Sequence, residues 1–421
     1  MRIPRIAAVG LALGGLLLSA CASTPAATTA SSSASTSASA STSASGGTLT
    51  IWADDKRAAA LKSFGDQFGK DNGVTVKIEA ISKDLQTQFV TASQAGNAPD
   101  LVVGAHDWAG NLVQNGAIDP VQLADAAAFD PVAVKAITYD GQTYGVPYAV
   151  ENIALIRNTD LAPDVPASIE AMVKTGQDLK KKGDVKEIMA LQQGQNGDVY
   201  HLYPLITSGG GALFGTTANG SPDPKQVMVD APGTIAAFKN IASIGEKGSG
   251  ALKRSIGGEN SIATFTGKKT AFLVSGPWAI ADIKKAGIKY DISEIPAWEG
   301  GDPAAPFIGA QAFFVASKGK NKALAQEFAT NFVATPELQV ALYKAEPRRP
   351  ALLAALELVK AEDPDLQKFA DAGKNGTPMP AIPQMAEIWE PVGKAAANII
   401  GGAPVESTLK SAAAAIRKKI G

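Results

Sequence analysis

The chain is expected to adopt an α/β fold in two lobes, and two observations support this. From Thr48 to Val103 the apolar pattern switches repeatedly between period two and the 3.6-residue period of a helix. About 370 residues follow a low-complexity N-terminal region, too many for one typical domain and comfortable for two. Basic and acidic residues are interspersed, 39 against 40, for a net charge of −1, and the one short basic run is Lys180 to Lys182. That balance argues against a nucleic-acid partner.

At the N-terminus, Arg2 and Arg5 precede a mostly apolar run from Ile6 to Leu18, which small residues follow. This is the order of a secretory signal, and the run is too short to span a bilayer comfortably. Cys21, the one cysteine of the chain, closes the tetrad Leu18, Ser19, Ala20, Cys21. The tetrad resembles the bacterial lipobox, which implies a signal peptide over 1–20 and acylation of Cys21; an ordinary signal peptide or a buried thiol are the alternatives. Residues 21–47 are almost entirely Ser, Ala and Thr. Such a segment cannot build a core, and as a flexible coil it spans on the order of 25 to 30 Å.

The folded part begins near Thr48. Thr48 to Ala53 reads as a strand, and Lys56 to Asn72 as a helix with Leu61, Phe64 and Phe68 on one face and Gly73 as its stop. Val74, Val76, Ile78 and Ala80 alternate as a strand, Lys83 to Ala95 is helical, and Asp100 to Val103 is a short strand after Pro99. This β-α-β-α-β order implies a parallel sheet, whose ligands bind beyond the carboxyl ends of the strands. Those ends deliver Asp54, Asp55 and Lys56, and His106, Asp107 and Trp108.

Gly145 to Arg157 reads as a further strand, interrupted by Glu151 and Asn152, and a charge there must be paired or face a cleft. Helices are expected at Ser168 to Lys182 and Pro232 to Glu246, with Gly209 to Gly211 as a tight loop between them. Thr270 to Val274 leads into Ser275, Gly276, Pro277 and Trp278, and Phe307 to Ser317 is a strand. Helices follow at Lys320 to Val333 and Pro336 to Tyr343; Met379 to Met385 is too proline-rich to start one. A helix through Trp389 and Val392 and another over Ser407 to Lys419 end the chain.

The two histidines, His106 and His201, lie far apart, and no spacing resembles a metal site. No metal or cofactor is expected. The chain lacks a GxSxG elbow, and its folded part has no cysteine for nucleophilic catalysis. Asp107 with Glu151 could form a glycosidase-like carboxylate pair, although a pair drawn from forty acidic residues carries little specificity. Carboxylates with aromatic rings also suit sugar recognition, with rings on the apolar faces of pyranoses and acceptors on the hydroxyls. Among the tryptophans, Trp52 reads as core, Trp108, Trp278 and Trp389 as cleft residues, and Trp298 as either.

At these residues the chain resembles the maltose and maltodextrin-binding proteins of ABC importers, within the extracellular solute-binding proteins. The resemblance rests on Ala105 to Asp107, Tyr148 to Asn158, Ser275 to Trp278, Phe307 to Gly309 and Met379 to Trp389, in family order along the mature chain. It implies a periplasmic-binding-protein type II-like fold: two α/β lobes joined by hinge strands around a ligand cleft. Lobe one would comprise 48–150 and 307–360, and lobe two 151–306 and 361–421. Asp107 and Glu151 would accept sugar hydroxyls, and Trp278, Trp389 and Tyr200 would stack on sugar rings. Asp55 and Lys56, with Asp54 as the neighbouring possibility, match a polar loop that contacts the sugar.

Three departures stand out. Gly104 replaces a tryptophan of the enterobacterial type, with Trp108 as a substitute. Gly393 replaces an arginine, and the loop Gln193 to Val199 is enlarged. Arg348, with Arg349, is a replacement donor to the sugar or else a solvated charge. The resemblance further implies a monomer that breaks no bond, delivers an oligosaccharide to ABC permease subunits, and sits on the outer face of the cell membrane through its lipid anchor. An anchored carbohydrate-active enzyme, a surface-interaction protein and a binder of another disaccharide such as trehalose remain as alternatives.

Overall fold

A computed structural model describes residues 46–218 and 220–421. Cys21 and the segments 1–20 and 21–45 lie outside the described residues.

The first lobe opens as the periodicity requires. Strand β1 (Thr48–Ala53), helix α1 (Asp55–Asn72), β2 (Thr75–Ala80), α2 (Leu85–Gln94) and β3 (Leu101–Ala105) form the expected β-α-β-α-β unit, with β2 and β3 both parallel to β1. Asp54 caps α1, its Oδ1 accepting the Arg57 backbone N–H at 3.0 Å, and Gly73 ends the helix at φ +65°. Helix α3 (Trp108–Gln114) follows directly on β3, so Asp107 sits at its N-cap. Helix α4 (Pro131–Ala136) and the small hairpin of β4 (Thr138–Tyr139) and β5 (Gln142–Thr143) lead to β6 (Val146–Glu151).

The passage Gly145 to Arg157 is not one strand. β6 ends at Glu151 and β7 (Ala154–Asn158) belongs to a different sheet, so the chain passes from one sheet to the other at Asn152 and Ile153. The polar interruption marks this crossing, and the Asn152 amide donates to the Phe369 carbonyl at 2.9 Å. Helix α5 (Ile169–Lys182), β8 (Ala190–Leu191), α6 (Val199–Ser208), the hairpin β9 (Phe214–Thr216) and β10 (Pro222–Val227), α7 (Pro232–Ser243), α8 (Ser261–Thr266), β11 (Phe272–Ser275), α9 (Ile280–Lys285) and β12 (Tyr290–Ser293) build the second lobe. Its sheet runs β12-β7-β11-β8.

The chain returns through β13 (Phe307–Val315), which pairs antiparallel with both β3 and β6. Helix α10 (Lys322–Glu327) continues as a widened turn over Phe328 to Phe332, and α11 (Pro336–Ala345), β14 (Arg349–Pro350) and α12 (Leu353–Lys360) complete the first lobe. Its sheet runs β14-β6-β13-β3-β1-β2. Helix α13 (Asp365–Ala372) packs on β7 and β12, and β15 (Thr377–Pro378) pairs parallel with the start of β13. Helices α14 (Trp389–Ile400) and α15 (Val405–Ile420) pack on α7.

Each sheet is covered on both faces, as an α/β sheet must be. In the first lobe, Leu49, Ile51, Phe68, Phe313 and Phe328 fill one side while Phe89, Val102, Leu112 and Phe314 fill the other. In the second, Leu155, Phe238, Phe272 and Ile399 oppose Ile156, Phe265, Leu273 and Ile280. Trp298 is core: it is 4% exposed and its indole N–H donates to the Leu205 carbonyl at 2.9 Å. Trp52 is half-buried, and its indole donates to Glu79 Oε2 at 2.6 Å.

Candidate ligand-binding site

The carboxyl ends of β3 and β6 place Asp107 and Glu151 on the side where the chain crosses between lobes. The preceding His106 is fully buried. The Ala310 backbone N–H donates to its Nδ1 at 3.0 Å, so Nε2 carries the proton and donates to the Met379 carbonyl at 2.9 Å. Three segments far apart in sequence are thereby fastened beside Asp107.

Asp107 is half-buried, yet its Oδ1 is sealed from solvent and has no partner. Burial pushes its carboxyl up to about 7; its own backbone N–H and the Trp389 side chain draw it down, and nearby Glu151 raises it further. Glu151 has the opposite balance. Burial alone would raise its pKa, but Arg348, Gln311 and Arg57 outweigh it and hold the carboxyl below its ordinary value. Gln311 Nε2 donates to Glu151 Oε1 at 2.8 Å, and Arg348 Nε donates to Oε2.

The second lobe supplies aromatic rings. Trp278 follows β11, Tyr200 lies in the first turn of α6, and Trp389 opens α14. Tyr200 is centred 6.4 Å from both Trp278 and Phe307, and Trp389 meets Phe307 edge-on at 6.4 Å. The Tyr200 hydroxyl is sealed and unpartnered, and burial, with Glu151 nearby, lifts its pKa well above 10. Behind this group His201 meets Trp278 edge-on at 6.1 Å, with its Nδ1 3.1 Å from Asp198 Oδ2. Asp198 also caps α6, accepting the His201 backbone N–H at 2.9 Å.

Arg348 lies between the two sets. Its guanidinium is held by Glu151 and Glu346 and sits over the Trp278 ring, 5.4 Å from the centroid. Glu346 also binds Lys56 at 3.3 Å and Arg57 at 3.6 Å, and Arg57 pairs with Asp54. Asp54 is therefore engaged as a cap and an ion-pair partner. Asp55 is exposed and accepts the Ser82 hydroxyl at 3.1 Å.

The structure thus gathers Asp107, Glu151, Tyr200, Trp278, Trp389 and Arg348, with Asp54 and Lys56 joined to the group through Arg57 and Glu346. Trp108 is placed differently. Its ring lies against β3, where a Cβ on Gly104 would fall 2.0 Å from Cζ3, and it packs with the Phe89 and Phe314 core. It fills the space that the bare glycine leaves. Gly393 has a similar account: a Cβ there would meet the Asn196 carbonyl oxygen at 2.8 Å. A Cβ on Gly197, at φ +73°, would meet the Gly393 oxygen at 1.8 Å. The enlarged loop therefore occupies, backbone against backbone, the room a long side chain on α14 would need.

Arg57, Gln311, Glu346 and His201 were not anticipated. Arg57 had a visible signal, since it extends the charged run that begins at Asp54. A cavity of about 1330 Å³ lies to the other side of Phe307, lined by Tyr203, Phe214, Tyr139 and Met379 and by none of Asp107, Glu151, Trp278 or Trp389. Phe307 and Tyr203 stack at 3.7 Å. Two small voids of about 10 and 20 Å³ adjoin Arg348 with Glu346 and Glu151 with Arg349, respectively.

Two lobes crossed by several strands, with sealed polar atoms and aromatic rings at the crossing, define a two-lobed solute-binding protein. The chain belongs to the bacterial extracellular solute-binding protein family, whose profile matches residues 63–372. It is 29% identical over 350 residues to a maltooligosaccharide ABC transporter solute-binding lipoprotein of Streptococcus pneumoniae, covering 82% of this chain and 81% of that one. A galactooligosaccharide-binding protein of Bacillus subtilis is 27% identical over 85% of each chain. The structure of a Thermus thermophilus maltotriose-binding protein, bound with maltotriose, superposes with a TM-score of 0.79 at 28% identity, covering 89% of this chain and 100% of that chain.

Proposed function

We propose that this protein captures an α-linked glucose oligosaccharide of the maltose and maltodextrin class between its lobes and presents it to the membrane permease of an ABC importer. One observation carries the reading: Asp107 Oδ1 and the Tyr200 hydroxyl are sealed and unpartnered beside Trp278 and Trp389. Buried polar groups without partners cost free energy, about 1 to 3 kcal/mol each, unless a ligand satisfies them. Sugar hydroxyls supply such partners and pyranose faces match the rings. The similarity to maltooligosaccharide and maltotriose binders supports the same class.

In this reading Asp107 and Glu151 accept hydroxyls, Trp278, Trp389 and Tyr200 cover ring faces, Asp55 and Lys56 contribute from the rim, and Arg348 borders the sugar. The lobes are 48–150 with 307–360 and 151–306 with 361–421. Cys21 carries the lipid that tethers a monomer to the outer face of the membrane. The chain breaks no bond: its family and the relatives it is similar to are solute-binding proteins rather than enzymes, and this supports the binding role.

Calorimetric titration with maltose, maltotriose, trehalose, sucrose and a galactooligosaccharide tests the ligand class. Saturable binding of the maltooligosaccharides without product is expected. Sugar turnover would sink the binding role, and silence toward the whole panel would sink the ligand class.

A further inference from the structure

The basic run visible in the sequence, Lys180 to Lys182, closes helix α5, and folding adds three lysines to it. The chain turns at Gly183, and the backbone N–H groups of Lys186 and Glu187 both donate to the Lys269 carbonyl at 2.8 Å. The turn carrying Lys268 and Lys269 therefore lies beside the segment that leaves α5. All six lysines are exposed, and none of them takes part in an ion pair among the described residues, whereas Lys174, Lys253 and Lys289 of the same lobe each hold a carboxylate. Of the two acids in these segments, Glu187 is engaged by Lys253 at 2.5 Å, and Asp184 alone offsets the charge.

The dipole of α5 favours cations in its last turn, which accounts for Lys180 to Lys182. It does not account for Lys186, Lys268 or Lys269, which belong to other segments. Lys268 also holds a left-handed backbone at φ +55°, a conformation that glycine or asparagine adopts more readily. Lys186 and Lys269 precede β8 and β11, which run parallel, and β11 ends at Ser275, just before Trp278. The basic face thus lies at the opposite end of the second lobe's sheet from the Trp278 ring.

We propose that this lysine face docks on an anionic lipid bilayer, giving the protein a second, reversible contact with the membrane besides its N-terminal lipid. A chain with a net charge of −1 gains nothing from its overall charge, but clustered unpaired cations are attracted to anionic headgroups, each adding to the binding within a Debye length of the surface. The segment from Cys21 to Thr48 reaches on the order of 90 Å when fully extended, so it leaves the folded part free to turn this face towards the headgroups. Holding both contacts on one chain also raises the effective concentration of headgroups around the lysines. Docked this way, the second lobe rests on its far end and Trp278 points away from the bilayer.

The inference rests on the membrane tether proposed above, and its test separates the two. The full chain, purified with its lipid, is bound to vesicles of phosphatidylcholine alone or of phosphatidylcholine with an equal part of phosphatidylglycerol, and lysine acetylation is followed by mass spectrometry. In about 0.1 M salt, Lys180 to Lys182, Lys186, Lys268 and Lys269 are expected to react roughly three- to tenfold more slowly on the anionic vesicles, and the protection is expected to vanish in about 1 M salt. Lys62, exposed on α1 of the first lobe, should react alike on both. Combining Lys181→Gln, Lys182→Gln, Lys268→Gln and Lys269→Gln should abolish the protection of Lys180 and Lys186 while leaving the Kd for maltotriose unchanged. Equal labelling on both vesicles overturns the proposal, and protection that then appears only with soluble polyphosphate assigns the face to a polyanion instead. If the wild-type chain washes off neutral vesicles yet stays on anionic ones, the lipid tether falls and the lysine face stands.

Discussion

Asp107 carries the sharpest consequence of burial at a single residue. Its folded-state pKa of about 7 lies above the ordinary 3.8, so the unfolded chain gives up this proton first as pH rises. The group's effect on stability is therefore neutral below about 4, grows steadily unfavourable between about 4 and 7, and levels off above. Asp107→Asn removes the cost while keeping the shape. The variant is expected to melt above the sugar-free wild type at pH 8, with the difference vanishing near pH 4; equal melting temperatures at pH 8 would refute the buried-charge account. The same variant should bind maltotriose more weakly, since an amide nitrogen replaces an acceptor oxygen. Trp389 tests the rings: half-buried at the start of α14, it is not a core residue. Trp389→Ala should raise Kd by about ten- to a hundredfold, from roughly 1.5 to 3 kcal/mol of lost apolar burial, with the urea midpoint little changed.

Among the elements, the strands that cross between lobes depend on His106. It joins the end of β3 to β13 through Ala310 and to the segment after β15 through Met379. Burial holds its pKa below 6.5, only partly offset by those backbone bonds. The unfolded chain takes up a proton more readily, so this group's contribution is present above about pH 6.5 and is lost as pH falls from there towards the lower folded-state value. His106→Ala would leave a buried N–H and C=O unpaired, at a cost of about 2 to 5 kcal/mol in urea unfolding at pH 7.5. A loss below about 1 kcal/mol would show that the bonds are replaceable. The elements also differ in how plainly the sequence announces them. The β1 to β3 unit was readable because its apolar periods are clean and Gly73 ends α1. Helix α6 was not, since Pro204 lies inside it and its apolar residues surround the helix. Helix α3 follows the β3 end so closely that its seven residues carry no period of their own. Glu151 and Asn152 announced a special position, but only the sheet pairing explains it as the crossing between β6 and β7.

In the whole molecule, the side chains proposed to bind sugar could be picked from the sequence, whereas the groups holding them could not. Asp107, Glu151, Tyr200, Trp278 and Trp389 lie in recognisable stretches, while Gln311 and Glu346 join the network only through pairing across β13 and after α11. The same long-range wiring governs closure. A sugar shifts the equilibrium between separated and joined lobes only by its greater affinity for the joined form, which requires contacts from both. With the proposed lobe bounds, Asp107 comes from the first lobe, Glu151 from the last residue of β6 at the crossing, and Tyr200, Trp278 and Trp389 from the second, so affinity and closure should fall together when either side is cut. Binding also adds stability by mass action, about 2.7 kcal/mol at a hundred times Kd. Maltotriose should therefore raise the melting temperature of the wild type by a few degrees, more with each tenfold increase in sugar, and should shrink its radius of gyration. In Trp389→Ala the melting shift at the same sugar concentration should shrink in step with the raised Kd. A variant that keeps the full shift would place the sugar elsewhere, and the cavity lined by Tyr203 and Phe307 would then be the site to probe by substitution.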